Sequence, residues 1–313
     1  VDAQGSFPTL TPFSVLGVAI SLFLSFRTNA CYNRWWEART QWGMHYNMAR
    51  NLARVACTLL RKTTTSTSSP FLTPNVPLEV DTKINVHAMN IENTCIEHSQ
   101  DVSSAARCLA RMGLAHCHAM RAQLRARWYA DRGSIAGPAV REAEKTRDSY
   151  LEPTCIARIS SSSNPALMIL HMAGELVGRQ LEKGHLDTVG AVEICRQLEI
   201  LCNCQGAAER ISNTLVPFSY SLLVHRMIVF YILIAPFAMV SVVHWYTPFF
   251  NLVIAYAFFG LDEVARQCEQ PYGDEPNSLA LDAICRNIDM GVLDVLGDNV
   301  PPPLLPDKEC RLR

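Results

Sequence analysis

The chain has 313 residues, of which 28 are basic and 29 acidic, so its formal net charge at pH 7 is −1. A balance this even argues against a dedicated nucleic-acid-binding protein, which usually carries a basic excess. The 12 cysteines are scattered without a CxxC pair, so no metal site is expected, and the thiols are predicted to be reduced and packed.

The first predicted element is a membrane helix at the N-terminal end. No Asp, Glu, Lys or Arg occurs from Ala3 to Phe26. A secretory signal peptide fits poorly, because no basic region precedes the stretch and Arg27 follows it where small residues should lead to a cleavage site. Small residues alternate with large ones in this stretch, and they would allow close helix packing or leave room for a solute.

A long basic helix is predicted to follow directly. The residues from Arg27 to Trp42 contain neither Gly nor Pro. The next glycine after Arg27 is Gly43. One interpretation is a helix that leaves the membrane with its arginines at the polar boundary. The alternative is that some of these arginines face a path for anions.

The middle of the chain is predicted to form a polar, helical layer. Residues 62–80 are rich in Ser, Thr and Pro and are predicted as a loop. Amphipathic helices are predicted for Ala105–Trp128, for Ala166–Gly184 and from a cap at Asp187 to about Cys204. The run from His116 to His118 invites a metal-site interpretation, but neighbours on a helix point in different directions, so ordinary packing is favoured.

The longest uncharged run extends from Met227 to Leu261. A single helix of this length would far exceed a hydrocarbon core of about 30 Å. Pro236 and Pro248 lie within the run, and the polar and aromatic residues 244–247 lie between them. We therefore predict two membrane helices joined near an interface.

Carboxylates end this uncharged run abruptly. Asp262 and Glu263 follow it directly, and Glu269 lies within the next two turns. Ionisable groups at the edge of a membrane segment need partners. These residues are predicted to form a structural acidic cluster.

Several motifs, in order along the chain, resemble the bestrophin-like anion channels. The segments Phe26-Arg-Thr-Asn29 and Tyr32-Asn-Arg-Trp-Trp-Glu-Ala-Arg39 are similar to the second transmembrane helix of that family. Val216-Pro-Phe-Ser-Tyr220 resembles the entry into its third helix. Gly260-Leu-Asp-Glu263 and Cys268-Glu-Gln-Pro-Tyr-Gly273 resemble the segment after its fourth helix. The resemblance is closest to the bacterial and the plant or algal branch, which includes the voltage-dependent thylakoid chloride channels.

The resemblance implies an all-α membrane protein with a helical soluble layer, assembled as a homopentamer around a central pore. The family has a first transmembrane helix before the pore helix, so the chain is expected to be truncated at its N-terminus. The acidic calcium clasp of the animal branch has no counterpart, so calcium gating is not predicted. The implied segments are a pore helix extending into the soluble layer (1–60), an insert (61–100), a helical soluble region (101–210), two transmembrane helices with their extension (211–270) and a tail (271–313).

The resemblance also implies that the N-terminal membrane helix lines a narrow neck. Counting helix turns back from Arg27 places Thr11, Val15, Ala19 and Leu22 on one face. The alternative is that this face packs against a neighbouring helix. A neck of small side chains would be wider or wetter than a bulky one, because apolar constrictions close by dewetting.

Anion preference requires donors and positive potential close to the neck. Arg27 is the predicted attracting charge, and the side chains of Thr28 and Asn29 are the predicted hydrogen-bond donors. The alternative for Arg27 is an ion pair with Asp262 or Glu263 inside the helix bundle. Both interpretations are compatible with the sequence.

The family's second constriction falls near Leu186 or Val189, with Val189 favoured. The predicted function is a passive channel for chloride-type anions, with bicarbonate or nitrate as further candidates, in a thylakoid membrane. The alternative is a non-conducting scaffold or regulatory subunit of a larger complex. No catalytic motif of the GxSxG, HExxH or P-loop type is present, so neither an enzyme nor a cofactor is predicted.

Overall fold

The computed structural model describes residues 10–60, 103–133 and 137–306, and all regular elements in these ranges are helices. The predicted all-α fold is therefore confirmed. The loop 62–80 and the insert 61–100 lie outside the described residues. The helices are α1 (Leu10–Leu59), α2 (Ser104–Asp131), α3 (Pro138–Ser149), α4 (Pro153–Ser160), α5 (Pro165–Glu182), α6 (Thr188–Asn213), α7 (Phe218–Val243), α8 (Thr247–Glu269) and α9 (Leu281–Leu296).

Helix α1 connects two levels of the structure. It continues for 50 residues without a break, a length of about 75 Å. The N-terminal membrane helix and the basic helix after it are thus one element. Gly43 lies inside α1 and does not end it, because a glycine in a helix interior costs only about 1 kcal/mol relative to alanine.

The C-terminal half of α1 packs in a helical layer with α2, α5, α6 and α9. Trp42, Leu52, Leu109, Ile194 and Ile288 lie in its apolar core and are at most 1% exposed. Each such side chain contributes about 1.5–3 kcal/mol when it is buried. This core therefore fixes the rotation of α1 about its own axis.

The N-terminal half of α1 packs against α7 and α8 instead. Ile20 and Leu24 of α1 and Ile228 of α7 belong to a small, separate apolar cluster. The stretches Thr11–Leu59 and Phe218–Glu269 are long and apolar enough to cross a membrane, and only about a fifth of their most apolar windows is buried. A soluble monomer rarely exposes an apolar surface of this extent, so the structure agrees with the predicted membrane segments.

The uncharged run near the C-terminus forms a helical hairpin. A short 3-10 turn over His244–Tyr246 separates α7 from α8. Pro248 lies in the first turn of α8, where its missing N–H is not needed. Pro236 lies inside α7 without ending it. Trp245 is exposed at the turn, as expected for an aromatic residue at the membrane interface.

Helix α6 shows where local signals are sufficient and where packing takes over. Asp187 is its N-cap, as predicted, and the Asp187 carboxylate accepts a hydrogen bond from the backbone N–H of Gly190 at 3.0 Å. The helix continues to Asn213, well beyond the predicted end near Cys204. Its buried face continues through Ala208 and Ile211, so packing against the core extends the helix.

Candidate functional site

One face of α1 is left uncovered at the membrane level. Val15, Val18, Leu22 and Phe26 are 65%, 68%, 52% and 56% exposed, although all four are apolar. They are three or four residues apart and therefore lie on one side of the helix. The opposite side carries Ile20 and Leu24, which are buried against α7 and α8.

The predicted neck residues differ in how exposed they are on α1. Thr11, Val15 and Leu22 are exposed on the uncovered face, whereas Ala19 is only partly exposed. The sequence interpretation passed over Val18 and Phe26. Val18, Leu22 and Phe26 follow one another at a spacing of four residues, and such a row of large apolar side chains along one ridge of a helix could have indicated them.

The two predicted donor residues after Arg27 differ in their availability. The hydroxyl of Thr28 donates to the carbonyl oxygen of Leu24 at 2.8 Å, which leaves only its acceptor capacity for a ligand. Asn29 is exposed on the uncovered face of α1. Its amide therefore faces outward, and Asn29 is the better placed donor.

Arg27 lies inside the helix bundle and is 4% exposed. Its guanidinium forms an ion pair with Asp262 of α8, and Nη2 lies 3.8 Å from a carboxylate oxygen of Glu269. The second carboxylate oxygen of Asp262 is 2.7 Å from Nδ1 of His225 in α7. The structure thus matches the ion-pair interpretation of Arg27, whose charge is balanced within the protein.

The predicted acidic cluster is divided between two sites. Asp262 and Glu269 both face Arg27. Glu263 points in another direction, and its carboxylate pairs with Arg266 at 2.6 Å. Adjacent residues on a helix are rotated by about 100°, so Asp262 and Glu263 cannot both face the same arginine.

Arg34 connects three helices and was not singled out from the sequence. Its Nε donates to the carbonyl oxygen of Glu269 at 2.7 Å. Its two terminal nitrogens donate to the carbonyl oxygens of Thr214 and Ile211. The last carbonyl groups of a helix have no partner within it, so Arg34 caps the C-terminal ends of α6 and α8 together.

The second predicted constriction lies at the far end of α1. Leu186 is 5% exposed and belongs to the core, whereas Val189 in the first turn of α6 is 76% exposed. Of the two candidates, the side chain of Val189 is therefore the one available to line an opening. A Cβ at Gly190 would lie 3.4 Å from the side chain of Leu59, so the start of α6 lies beside the end of α1. Val15 and Leu59 are separated by about 66 Å along the helix axis.

The histidines of α2 contact different partners. Nδ1 of His116 lies 3.0 Å from Nε2 of His45, and Nε2 of His116 lies 3.1 Å from the Gln205 carboxamide oxygen. His118 instead contacts Asp289 at 2.9 Å. The two side chains therefore diverge, in agreement with the packing interpretation. Among the described residues, no group of three metal-binding side chains comes together.

Comparisons of the sequence with a family model and with individual proteins agree on one family. The family model described as "Bacterial/Fungal Bestrophin protein" matches residues 3–77 and 79–294. A voltage-dependent anion channel-forming protein of Mesorhizobium japonicum is 33% identical over 297 residues, which cover 95% of this chain and 78% of the relative. The voltage-dependent anion channel-forming protein YneE of Escherichia coli K12 is 31% identical, over 97% of this chain and 83% of the relative.

The fold comparison agrees with the sequence comparison. The crystal structure of a point-mutated bacterial bestrophin homolog from Klebsiella pneumoniae aligns with a TM-score of 0.71 and 28% sequence identity. The alignment covers 94% of this chain and 90% of that structure. The similarity therefore extends over nearly the whole length of both chains.

Proposed function

Because this chain belongs to the bacterial/fungal bestrophin family, we propose that it is a passive channel for small monovalent anions, formed by five copies around a central pore. The protein is an integral membrane protein, and its family is one of channels rather than of enzymes. The uncovered face of α1 carries the proposal, because it presents apolar side chains that no other described helix covers. Chloride is the proposed main anion, with bicarbonate and nitrate as further candidates.

The pore helix in this proposal is α1. Helices α7 and α8 cover the opposite side of α1, and their own outer residues, such as Phe237 and Tyr256, are exposed. Those outer residues would face lipid. The uncovered face of α1 would then face the symmetry axis, where copies of Thr11, Val15 and Leu22 form the neck.

The exposure pattern adds two residues to the proposed neck. Val18 and Phe26 are as exposed as Val15 and Leu22, and Ala19 lies at the edge of the face. Apolar rings of this kind close a pore to ions by excluding water. The neck is therefore bulkier than one built from Thr, Val and Ala alone.

A second opening at the other end of the pore is formed by Val189 in this proposal. Its exposure and its place beside the end of α1 support this role. Leu186 would act indirectly, because it packs beneath the first turn of α6 and holds Val189 in position. An ion would thus pass two apolar rings, one near each end of α1.

Reconstitution of the purified protein into planar bilayers tests the channel function. We expect a current that reverses near the equilibrium potential of chloride in a KCl gradient. A current that reverses at the potassium potential would contradict the proposal. Silent bilayers together with purification in a larger complex would favour the non-conducting scaffold.

The thylakoid location is a finer proposal that rests on the resemblance to the plant and algal branch. The relatives compared above are bacterial and give it no support. Fractionation of the source cells, with detection of the protein in thylakoid or plasma membranes, would decide between the two locations.

A further inference from the structure

The uncovered face of α1 changes its chemistry below the apolar neck. From Asn29 onward, most positions in line with Leu22 are occupied by uncharged polar residues, and the exposed Trp36 is a large apolar side chain among them. We call the polar residues the amide row: Asn29, Asn33, Thr40, Asn47 and Asn51. Their separations of 4, 7, 7 and 4 residues keep them on one side of the helix. The row is about 33 Å long.

The amide row does not belong to the protein core. Asn29, Asn33 and Asn47 are exposed, and Asn51 is partly exposed. Within the described residues, the side chains of these four asparagines make no hydrogen bond, whereas Thr40 donates its hydroxyl to the carbonyl oxygen of Trp36. The carboxamides therefore keep their donors free for a ligand.

The charges along α1 favour an anion on this face. The only acidic residue in α1 is Glu37, and its carboxylate pairs with Arg210 of α6. Arg39 and Arg54 are exposed, and neither forms an ion pair within the described part of the chain. The uncovered side of α1 thus carries a net positive charge, although Arg27 is neutralised.

We infer that the amide row lines the section of the pore below the neck and that its N–H groups hold permeating monovalent anions at successive weak sites. This inference rests on the proposed channel function. Neutral donors suit conduction, because an anion must bind well enough to enter and weakly enough to leave. A carboxamide also offers an acceptor, so Arg39 and Arg54 set the sign of the field.

Charge and polarity changes at Asn33 test this inference in bilayers. Asn33→Asp would place a carboxylate from every copy around the ion path, so we expect the chloride-to-potassium permeability ratio to fall several-fold. Asn33→Leu removes the donor without adding charge, so we expect a several-fold lower conductance with unchanged ion preference. Asn299→Asp is the matched control, because Asn299 is exposed, lies outside α1 and follows α9, a helix of the core. We expect this control to conduct like the wild type.

The outcomes separate the two proposals. Wild-type selectivity and conductance in both Asn33 variants would overturn the role of the amide row while the channel function stands. Absence of anion current in the wild-type protein would overturn both proposals. If size-exclusion chromatography shows that Asn33→Asp dissociates the oligomer, the permeability ratio of Asn47→Asp is measured instead. An unchanged permeability ratio in Asn47→Asp would then mean that the row packs against a second copy instead of lining the pore.

Discussion

Asp262 uses both of its carboxylate oxygens between the membrane helices. One pairs with Arg27, and the other contacts Nδ1 of His225. A charge in this environment is stable only with a partner, because desolvation is expensive where water is scarce. At the scale of single residues, Arg27 and Asp262 therefore hold α1 to α8. In the proposed channel, the positive field that attracts anions would come from other side chains.

Removal of one member of this ion pair should destabilise the protein. We expect Asp262→Asn to lower the free energy of unfolding by up to roughly 3 kcal/mol, because the buried Arg27 would keep only the more distant carboxylate of Glu269, at 3.8 Å. Thermal unfolding in detergent, followed by size-exclusion chromatography, measures the effect. The control is Glu263→Gln, which removes the more exposed pair with Arg266 and should cost far less. Equal losses in the two variants would contradict the structural role of the Arg27 pair.

His116 makes the stability of the soluble layer depend on pH. Burial lowers the pKa of His116 to about 4, compared with about 6.5 in an unfolded chain. The unfolded state therefore binds more protons as the pH falls, so stability is complete above about pH 6.5 and is lost progressively toward pH 4. The loss from this one group amounts to at most about 3 kcal/mol.

Denaturation midpoints at pH 7 and pH 5 measure this dependence. His116→Gln should reduce the difference between the two midpoints without abolishing it, because His45 is buried beside it. His171→Gln is the control, since His171 is exposed and pairs with Glu175 at the surface. An unchanged pH dependence in His116→Gln would refute this explanation.

At the scale of helices, the close contact between α1 and α7 depends on the small size of Gly17. A Cβ at Gly17 would lie 2.6 Å from the hydroxyl oxygen of Tyr231. The ring of Tyr231 cannot easily withdraw, because it stacks on Phe13 at 4.3 Å and contacts the edge of Phe258. Gly17 therefore determines how closely the two membrane helices approach.

Gly17→Ala should separate α1 from α7 and destabilise the protein by roughly 1–3 kcal/mol, the usual penalty for overpacking. Gly178→Ala is the matched control in α5, where an added Cβ meets nothing within 4 Å. That control should be neutral or stabilising by up to about 1 kcal/mol. Thermal unfolding compares the variants, and adding Tyr231→Phe to Gly17→Ala should recover stability. No recovery would mean that the hydroxyl contact is not the cause.

At the scale of the whole molecule, α1 separates two surfaces with different environments. Its packed side joins the membrane hairpin above and the soluble core below. Its uncovered side carries the exposed apolar residues of the proposed neck and then the amide row. This division along one continuous helix is what a pore in an oligomer requires, because a single copy cannot enclose a path.

A more polar neck should conduct better. We expect Leu22→Ser to increase single-channel conductance several-fold, since water would remain in the constriction more easily. Leu233→Ser is the control, because Leu233 is also exposed, on α7, but would face lipid. Single-channel recording compares the two variants. Equal conductance of Leu22→Ser and the wild type would remove Leu22 from the neck.

The sequence by itself determined the elements whose signals are local. The uncharged runs, the turn between two prolines and the Asp187 cap predicted membrane helices, a hairpin and a helix start, and the structure contains all three. These features depend on the length of an apolar segment or on a few neighbouring residues. The family motifs were also legible, because they are continuous in the chain.

Only the tertiary structure decided which side each residue faces. Arg27 meets a partner 235 residues away, Leu186 is buried while Val189 three positions later is exposed, and Val18 and Phe26 join the uncovered face. The sequence left these choices open, because they depend on the rotation of α1 and α6 about their axes. That rotation is set by the packing of the whole core. A local spacing can group residues such as Val18, Leu22 and Phe26 on one face, but it does not say whether that face is covered.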